Sequence, residues 1–338
     1  MLDKEYKDSK IRLHPLDTNQ YCLGRIGVHK VVLTSLISAG TNQANSAAIH
    51  MYETFRNLRF ILMVDIGGGI PCLDTGEDVR LGDVVVSMPS GGYGGVIQYD
   101  SGKFLQNRDF QRTGALSLPP KQLRKVVNHL RTNHEGKDNC ITKHIEEMLS
   151  KFLEYTEKES NYSRLDSAQD LLFNAKYMHK EEGDTCASCD KKQLVHRFDR
   201  PKDKPIIHYG NIASRSDVIR DALKRDQLGK DLDVVCFEIK AAGLMDEFQC
   251  LVIREICDYS NSHKNKKWQR YATIVAATYA KELLGQIPRS NTEGISLYPD
   301  SIPVDTCCTL QEASIHKPDT PSHLSPRLVD QQFYASAR

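Results

Sequence analysis

Apolar positions along this chain follow two rhythms, one of strands and one of helices, and they alternate. Residues 21–38, YCLGRIGVHKVVLTSLIS, have strand composition broken at Gly27 and predict a β-hairpin that leads into a buried strand. Thr41 and Asn42 then offer polar side chains at the start of a helix. Ala44, Ala47, Ala48, Met51, Tyr52 and Phe55 recur at three- and four-residue spacing and give that helix one apolar face. The run FILMVDI (60–66) predicts a strand that enters Gly67-Gly68-Gly69, and DVVVS (83–87) predicts another. Strand, helix, strand is the order of a parallel α/β sheet.

The middle of the chain is helical. Leu123, Val126, Val127 and Leu130 form one stripe, and Ile141, Ile145, Met148, Leu149 and Phe152 form a second. Residues 157–200 are polar throughout and read as an insertion. Sheet character returns at IIHYGNIA (206–213), followed by a helix over about 216–225, the strand VVCFEI (234–239), a short helix from Ala241, and CLVIREIC (250–257), which runs into Asp258. A last helix carries Trp268, Tyr271, Ala272, Val275, Tyr279 and Leu283 on one face. From Pro288 onward there are six prolines in 51 residues and no apolar period, so 288–338 reads as a disordered tail.

Composition narrows the classes. With 45 basic and 44 acidic residues among 338, the net charge of +1 gives no electrostatic reason to expect a nucleic-acid or membrane-surface partner. No uninterrupted apolar run is long enough to span a bilayer, and the charged start MLDKEYKDSK lacks a signal-peptide core. Ten cysteines without a secretion signal are expected as reduced thiols in a cytoplasmic protein. No phosphate-loop or dinucleotide glycine fingerprint is present.

In an open α/β sheet, ligands bind outside the carboxyl ends of the strands. Two apolar strands here end in chemistry: one in a glycine turn, where a ligand can approach the backbone, and one in a carboxylate. The pair reads as a ligand cradle and an acid.

Seven stretches resemble the purine and uridine phosphorylase/nucleosidase superfamily, in the version found at the N-terminus of fungal NACHT- and ankyrin-containing proteins. They are GRIGVHKVVLTSL (24–36), GTNQANSAA (40–48), IGGGIPCLDTGEDVRLGDVVVS (66–87), GGVIQYDSGK (94–103), IIHYGNIAS (206–214), CFEIKAAGLM (236–245) and LVIREICDYSNSHKNKKWQRYA (251–272). The resemblance covers about residues 20–285. It implies a three-layer α/β/α sandwich with a mixed central sheet, cleavage of a nucleoside N-glycosidic bond by phosphate or water, and a homo-oligomer. On this resemblance Asp258 would protonate the purine, and Gly67, Gly68 and Gly69 would lie beneath the ribose with backbone N–H groups towards the nucleophile. Val218 and Ile219 would read the base edge. No cofactor is implied beyond inorganic phosphate as co-substrate in a phosphorolytic enzyme.

Departures from the pattern cluster. Where the resemblance implies Phe-Glu-Met-Glu, the chain has Phe237-Glu238-Ile239-Lys240, so the ribose-gripping carboxylate is replaced by an ammonium. Glu238, on the same side of the strand, could substitute for it or pair with Lys240. Arg215, Glu255 and Asp65 stand where glycine or a small residue is expected, and charges in a tight pocket are costly without partners. The family's first strand is not recognisable in 1–20. Two readings follow: a degraded site, or a retuned one in which Lys240 and Arg215 bind the phosphates of a nucleotide. Apolar Leu62, Met63 and Val64 stand where phosphorolytic relatives carry arginine, which points to water as nucleophile.

Cys186-x-x-Cys189 has His179 and His196 six intervening residues away on either side, a candidate metal set set against two solvent-facing thiols in a polar insertion. The run His263, Lys264, Lys266, Lys267 reads as a solvated loop. The sequence therefore predicts a nucleoside phosphorylase-like domain over 21–287 that cleaves a purine nucleoside or nucleotide, with hydrolysis favoured and activity reduced. The alternative is a non-catalytic ligand-binding or regulatory module on the same fold.

Overall fold

In the computed structural model the apolar runs become the strands of one mixed sheet. The structure describes residues 2–7, 11–36, 40–73, 76, 78–106, 110–136, 141–153, 162–179, 185–200, 204–288, 306–312 and 334–337. In chain order the elements are β1 (Lys4–Glu5), β2 (Tyr21–Ile26), β3 (His29–Leu36), α1 (Thr41–Thr54), β4 (Leu58–Gly69), β5 (Val84–Ser87), β6 (Val96–Gln98), β7 (Gly102–Phe104) and β8 (Phe110–Arg112). There follow α2 (Lys121–Gly136), α3 (Ile141–Leu153), β9 (Ile207–Ser214), α4 (Ala222–Leu232), β10 (Val234–Glu238), α5 (Ala241–Glu247), β11 (Cys250–Asp258), α6 (Trp268–Gly285), β12 (Thr306–Glu312) and β13 (Tyr334–Ala337).

The expected hairpin is β2–β3, antiparallel, turning on Gly27 in the left-handed region at φ 56°. Five strands close on themselves. β4 pairs parallel with β11 on one edge and antiparallel with β10 near its end. β10 pairs with β9, β9 with β5, and β5 with β11. A ring of this kind leaves none of its members as an exposed edge. All nine residues of β11 are buried, as a strand paired on both edges and covered on both faces requires.

Burial explains the layers. The stripe predicted for the last helix (Trp268, Tyr271, Ala272, Val275, Tyr279, Leu283) is buried, and α6 lies on β4 and β11 with α3 against its other side. α1 and α5 pack together, and a Cβ at Gly243 would fall 2.2 Å from the carbonyl oxygen of Thr41, so only glycine lets the two helices approach this closely. A second cluster, with Ile70, Ile97, Tyr99, Ile219, Val234 and Phe237, fills the side between β10 and α4.

Three expectations change. The helix placed at about 216–225 is α4, six residues later; Asp221 caps it by accepting the N–H groups of Leu223 and Lys224 at 2.9 and 3.1 Å. The glycine triplet is not a turn but the last three residues of β4. Within 288–338, read as a tail without regular structure, the backbone forms β12, parallel to β3 from Thr306↔Lys30 to Glu312↔Leu36, and β13, antiparallel to β4. At the N-terminus the only described strand is β1, which pairs with β2.

The polar segment within 157–200 is fastened by charge as well as by hydrocarbon, Leu172 lying in the main core and Phe173 buried. Arg200 reaches both oxygens of the fully buried Asp83 at 2.6 Å, and His208 reaches the same carboxylate at 2.9 Å. Burial pushes Asp83 up, but Arg200 and His208 outweigh it and hold its carboxyl at about 2. Arg197 adds pairs to Asp78 at 3.4 Å and Asp170 at 2.9 Å.

Candidate active site

β11 and β4 run side by side in parallel, so their carboxyl ends finish together. The register places Asp258 opposite Gly68, with a bulge between Ile256 and Asp258 that turns the strand end. On the other edge Phe237 of β10 stands opposite the same glycine. Gly68 is thus flanked by a carboxylate and an aromatic residue.

The reason for glycine is space, not backbone conformation. A Cβ on Gly68 would lie 3.0 Å from Asp258 Oδ1 and 2.0 Å from Ser260 Oγ. At Gly67 it would meet the Phe237 carbonyl oxygen at 3.1 Å and Arg254 Cβ at 3.2 Å; at Gly69 it would meet Ile256 Cγ2 at 2.8 Å. The triplet lets neighbouring strand ends lean over bare backbone.

Asp258 is buried, with 9% exposure. Its Oδ1 accepts the N–H of Ser260 at 2.8 Å, and its Oδ2 accepts from Lys264 Nζ at 2.8 Å. The first bond folds the chain back over the strand end and places Ser260 at φ 48°, a left-handed conformation rarely taken by a side-chain-bearing residue. Asp258, Tyr259 and His263 line a cavity of about 480 Å³ whose far wall is Gln169, Leu171 and Cys186 from the polar segment. His263 is buried and stacks on Phe173 at 4.2 Å between ring centres. Burial and the neighbouring His179 hold its imidazole at about 4, so it is neutral above that pH.

Around Gly67 lies a second group of charges. Asp65, Glu238, Lys240 and Arg254 are all buried. Lys240 Nζ bonds Asp65 Oδ2, and Arg254 Nη1 approaches the same oxygen at 3.3 Å. Arg254 Nη2 donates to Glu238 Oε2 at 2.5 Å. Glu238 also accepts the N–H groups of Lys240 (3.0 Å) and Ala241 (2.9 Å), which open α5. Two anions and two cations leave the group formally neutral, the condition under which buried charge is tolerated.

The sequence-derived residues therefore divide. Asp258 meets Gly68. Glu238 does not pair with the Lys240 ammonium; it takes Arg254 and the start of α5, while Lys240 turns to Asp65. The two departures at 65 and 240, each costly alone, are partners. Arg215 pairs with Asp217 and lies 5.6 Å from the centre of the Tyr99 ring. Ile219 is buried in the cluster with Phe237, while Val218 is half exposed at 51%. Glu255 is fully buried, and neither oxygen has a hydrogen-bond partner among the described residues. Burial, with Asp83 nearby, pushes its carboxyl well above the usual range.

Lys264 and His263, read as part of a solvated run, face the site; the signal was their distance of six and five residues from a strand-end carboxylate. Arg254 gave no signal beyond being a charge inside an apolar strand. Cys189 is buried rather than solvent-facing, and His179, not His196, joins the thiols.

No family model matches the chain. It is 44% identical over 271 residues to a nucleotide-binding leucine-rich repeat (NLR)-like protein of Hyaloscypha variabilis; the match covers 79% of this chain and 26% of that protein. The chain thus spans about a quarter of the length of the curated relative it matches. Among solved structures it is similar to a 5'-methylthioadenosine/S-adenosylhomocysteine nucleosidase of Helicobacter pylori, at a TM-score of 0.50 and 11% identity over 82% of this chain and 90% of that one. It is also similar to an S-adenosylhomocysteine nucleosidase of Streptococcus pyogenes, crystallised with 5-methylthiotubericidin, at 0.51 and 14% over 83% and 89%. The chain has the purine/uridine phosphorylase-like fold of these nucleosidases. No helix among the described residues is long and apolar enough to cross a membrane.

Proposed function

We propose that a chain with this nucleosidase fold cleaves the N-glycosidic bond of a purine nucleoside or nucleotide by hydrolysis. One observation carries the reading: the Asp258 carboxylate leans over the bare backbone of Gly68, 3.0 Å from where a side chain would begin. Bond breaking leaves an electron-rich base that must take a proton, and Asp258 also lines the cavity of about 480 Å³, which has room for a base and its sugar. Asp258 passes that proton to the base. Lys264, 2.8 Å from Oδ2, fixes the carboxylate and accompanies its change of charge. The end of β4 carries the sugar side, where backbone N–H groups orient the water.

Water is favoured over phosphate because the residues leading to the glycines, Leu62, Met63 and Val64, are fully buried hydrocarbon. Arg80, the nearest alternative in sequence after the triplet, is held by Asp78 at 2.6 Å and by the Phe198 carbonyl. Nothing in that arrangement supplies a spare cation for a phosphate nucleophile.

A second reading, ligand binding without cleavage, is favoured by the Asp65–Lys240–Arg254–Glu238 group. Glu238, which would compensate for the missing ribose contact, already carries three donors. Incubation with adenosine, inosine, guanosine and ATP, with and without phosphate, separates the two. Release of free base, unchanged by phosphate and lowered about 10²-fold or more in Asp258→Asn, is expected. Saturable binding without release above that variant would replace the catalytic reading with the second.

A further inference from the structure

The polar segment holds a cluster that the reaction does not use. One ligand atom each from His179, Cys186 and Cys189 lie within 4.8 Å of one another. Both cysteines are free thiols, Cys186 partly and Cys189 fully buried. A tight turn, closed by the Cys189 N–H on the Cys186 carbonyl at 3.2 Å, brings the two sulfurs to one side. Tyr177 Oη accepts the N–H of the next residue, Asp190, at 2.9 Å and ties that turn to the strand of chain leading to His179.

The imidazole is oriented as well. His179 Nε2 lies 3.1 Å from the Thr185 carbonyl oxygen, the bond by which a backbone carbonyl fixes the tautomer of a metal-bound histidine, and its backbone N–H is held by Ser262 Oγ at 3.0 Å. A second observation points to a ligand. His263 is 94% buried, and its Nε2 has no hydrogen-bond partner among the described residues. Its ring meets that of His179 edge-on at 5.4 Å, and it shares the wall of the 480 Å³ cavity with Cys186. A buried nitrogen left without a partner is costly. Here it stands beside the His179 imidazole, on the cavity wall that also carries Cys186.

We propose that His179, Cys186 and Cys189 bind one zinc ion, and that His263, which lies outside that 4.8 Å set, turns its Nε2 to the fourth position when the ion is bound. Two sulfurs and imidazole nitrogen are the donor set of structural zinc. Zn–S and Zn–N bonds of about 2.3 and 2.0 Å place ligand atoms roughly 3.5–4 Å apart, a contraction that side-chain rotation supplies. Binding displaces two thiol protons to solvent and creates no redox change. The ion joins the 185–191 turn to the loop after Asp258 and fixes one wall of that cavity. This does not depend on the N-glycosidic reading.

The test uses the full chain. Metal content is measured after purification without chelator, and the chelator-stripped chain is titrated with Co²⁺ and then Zn²⁺. Expected are about one zinc per chain, and a Co²⁺ form with thiolate charge-transfer and strong tetrahedral d–d bands that zinc abolishes. The Cys186→Ser/Cys189→Ser variant should lose both, His263→Ala should weaken binding about 10–100-fold, and His196→Ala should leave it unchanged. Absence of stoichiometric zinc and of the thiolate–cobalt band in the reduced wild-type chain overturns the proposal. So does retention of the metal by the double serine variant. The wild-type spectrum decides the matter alone if that variant does not fold.

Discussion

Two carboxylates flank the end of β4 from the strands on its two edges, and they live under different terms. Asp258 ends β11 with one oxygen on a backbone N–H and the other on Lys264, a partly exposed ammonium. Glu238 ends β10 with its oxygens on the first amides of α5 and on the buried guanidinium of Arg254. The first touches groups that can rearrange around a substrate. The second is part of the fold's own support. A carboxylate at a strand end is therefore chemistry or scaffold according to whether its partners are mobile side chains or fixed backbone.

The largest effect is expected where the scaffold side is broken. Asp65→Leu removes the acceptor that Lys240 and Arg254 share, Lys240→Met removes one of its two cations, and each alone should cost up to about 3–5 kcal/mol in chemical denaturation. The double variant should recover much of that, with a coupling of roughly 1–3 kcal/mol. Independent, additive losses would mean that the two side chains are not partners.

Next comes the glycine beneath Asp258. Gly68→Ala puts a methyl group into Ser260 Oγ and against Asp258 Oδ1, an overpacking worth about 1–3 kcal/mol. Base release should fall at least tenfold while Phe237, on the opposite edge, keeps the strand paired. Unchanged activity with unchanged stability would show that nothing binds there.

A pH scan sharpens the contrast from outside the pocket. Asp83 sits at about 2 in the folded chain against an ordinary 3.8, so its contribution is complete above 3.8 and is lost as pH falls through 2. That shift corresponds to about 2 kcal/mol, and Asp83→Asn should remove the acid sensitivity in this window. The smallest effect is expected for Lys264→Met, under about 1 kcal/mol of stability because the pair is partly exposed. Base release should nonetheless drop about tenfold, with its pH profile displaced, if the ammonium accompanies the proton transfer.

Much of the frame was legible in the sequence because strand and helix periods are local. The hairpin at Gly27, the runs that became β4, β9, β10 and β11, and the buried face of α6 all lie where the pattern placed them. Asp258 beside the glycines was legible too, since parallel strands finish together. What escaped was pairing at a distance. Asp65 and Lys240 are 175 residues apart in the chain, and neither carries a mark of the other. Arg197 and Arg200 read only as part of a polar insertion because two of their acceptors, Asp78 and Asp83, come from another segment. The helix expected over about 216–225 starts later, because the capping carboxylate of Asp221 sets its first turn. The triplet suggested a turn, because glycine at a close approach and glycine at a turn look alike in one dimension.

The closed circuit of β4, β10, β9, β5 and β11 has one further consequence. The β4–β11 ladder from Ile61 to Gly68 lies inside that circuit and has no open edge to fray from, so the amides it bonds should exchange with solvent only when the entire domain opens. The strand end beneath Asp258 then keeps its shape up to the melting transition, and heat should abolish that pairing and the tertiary structure in a single step.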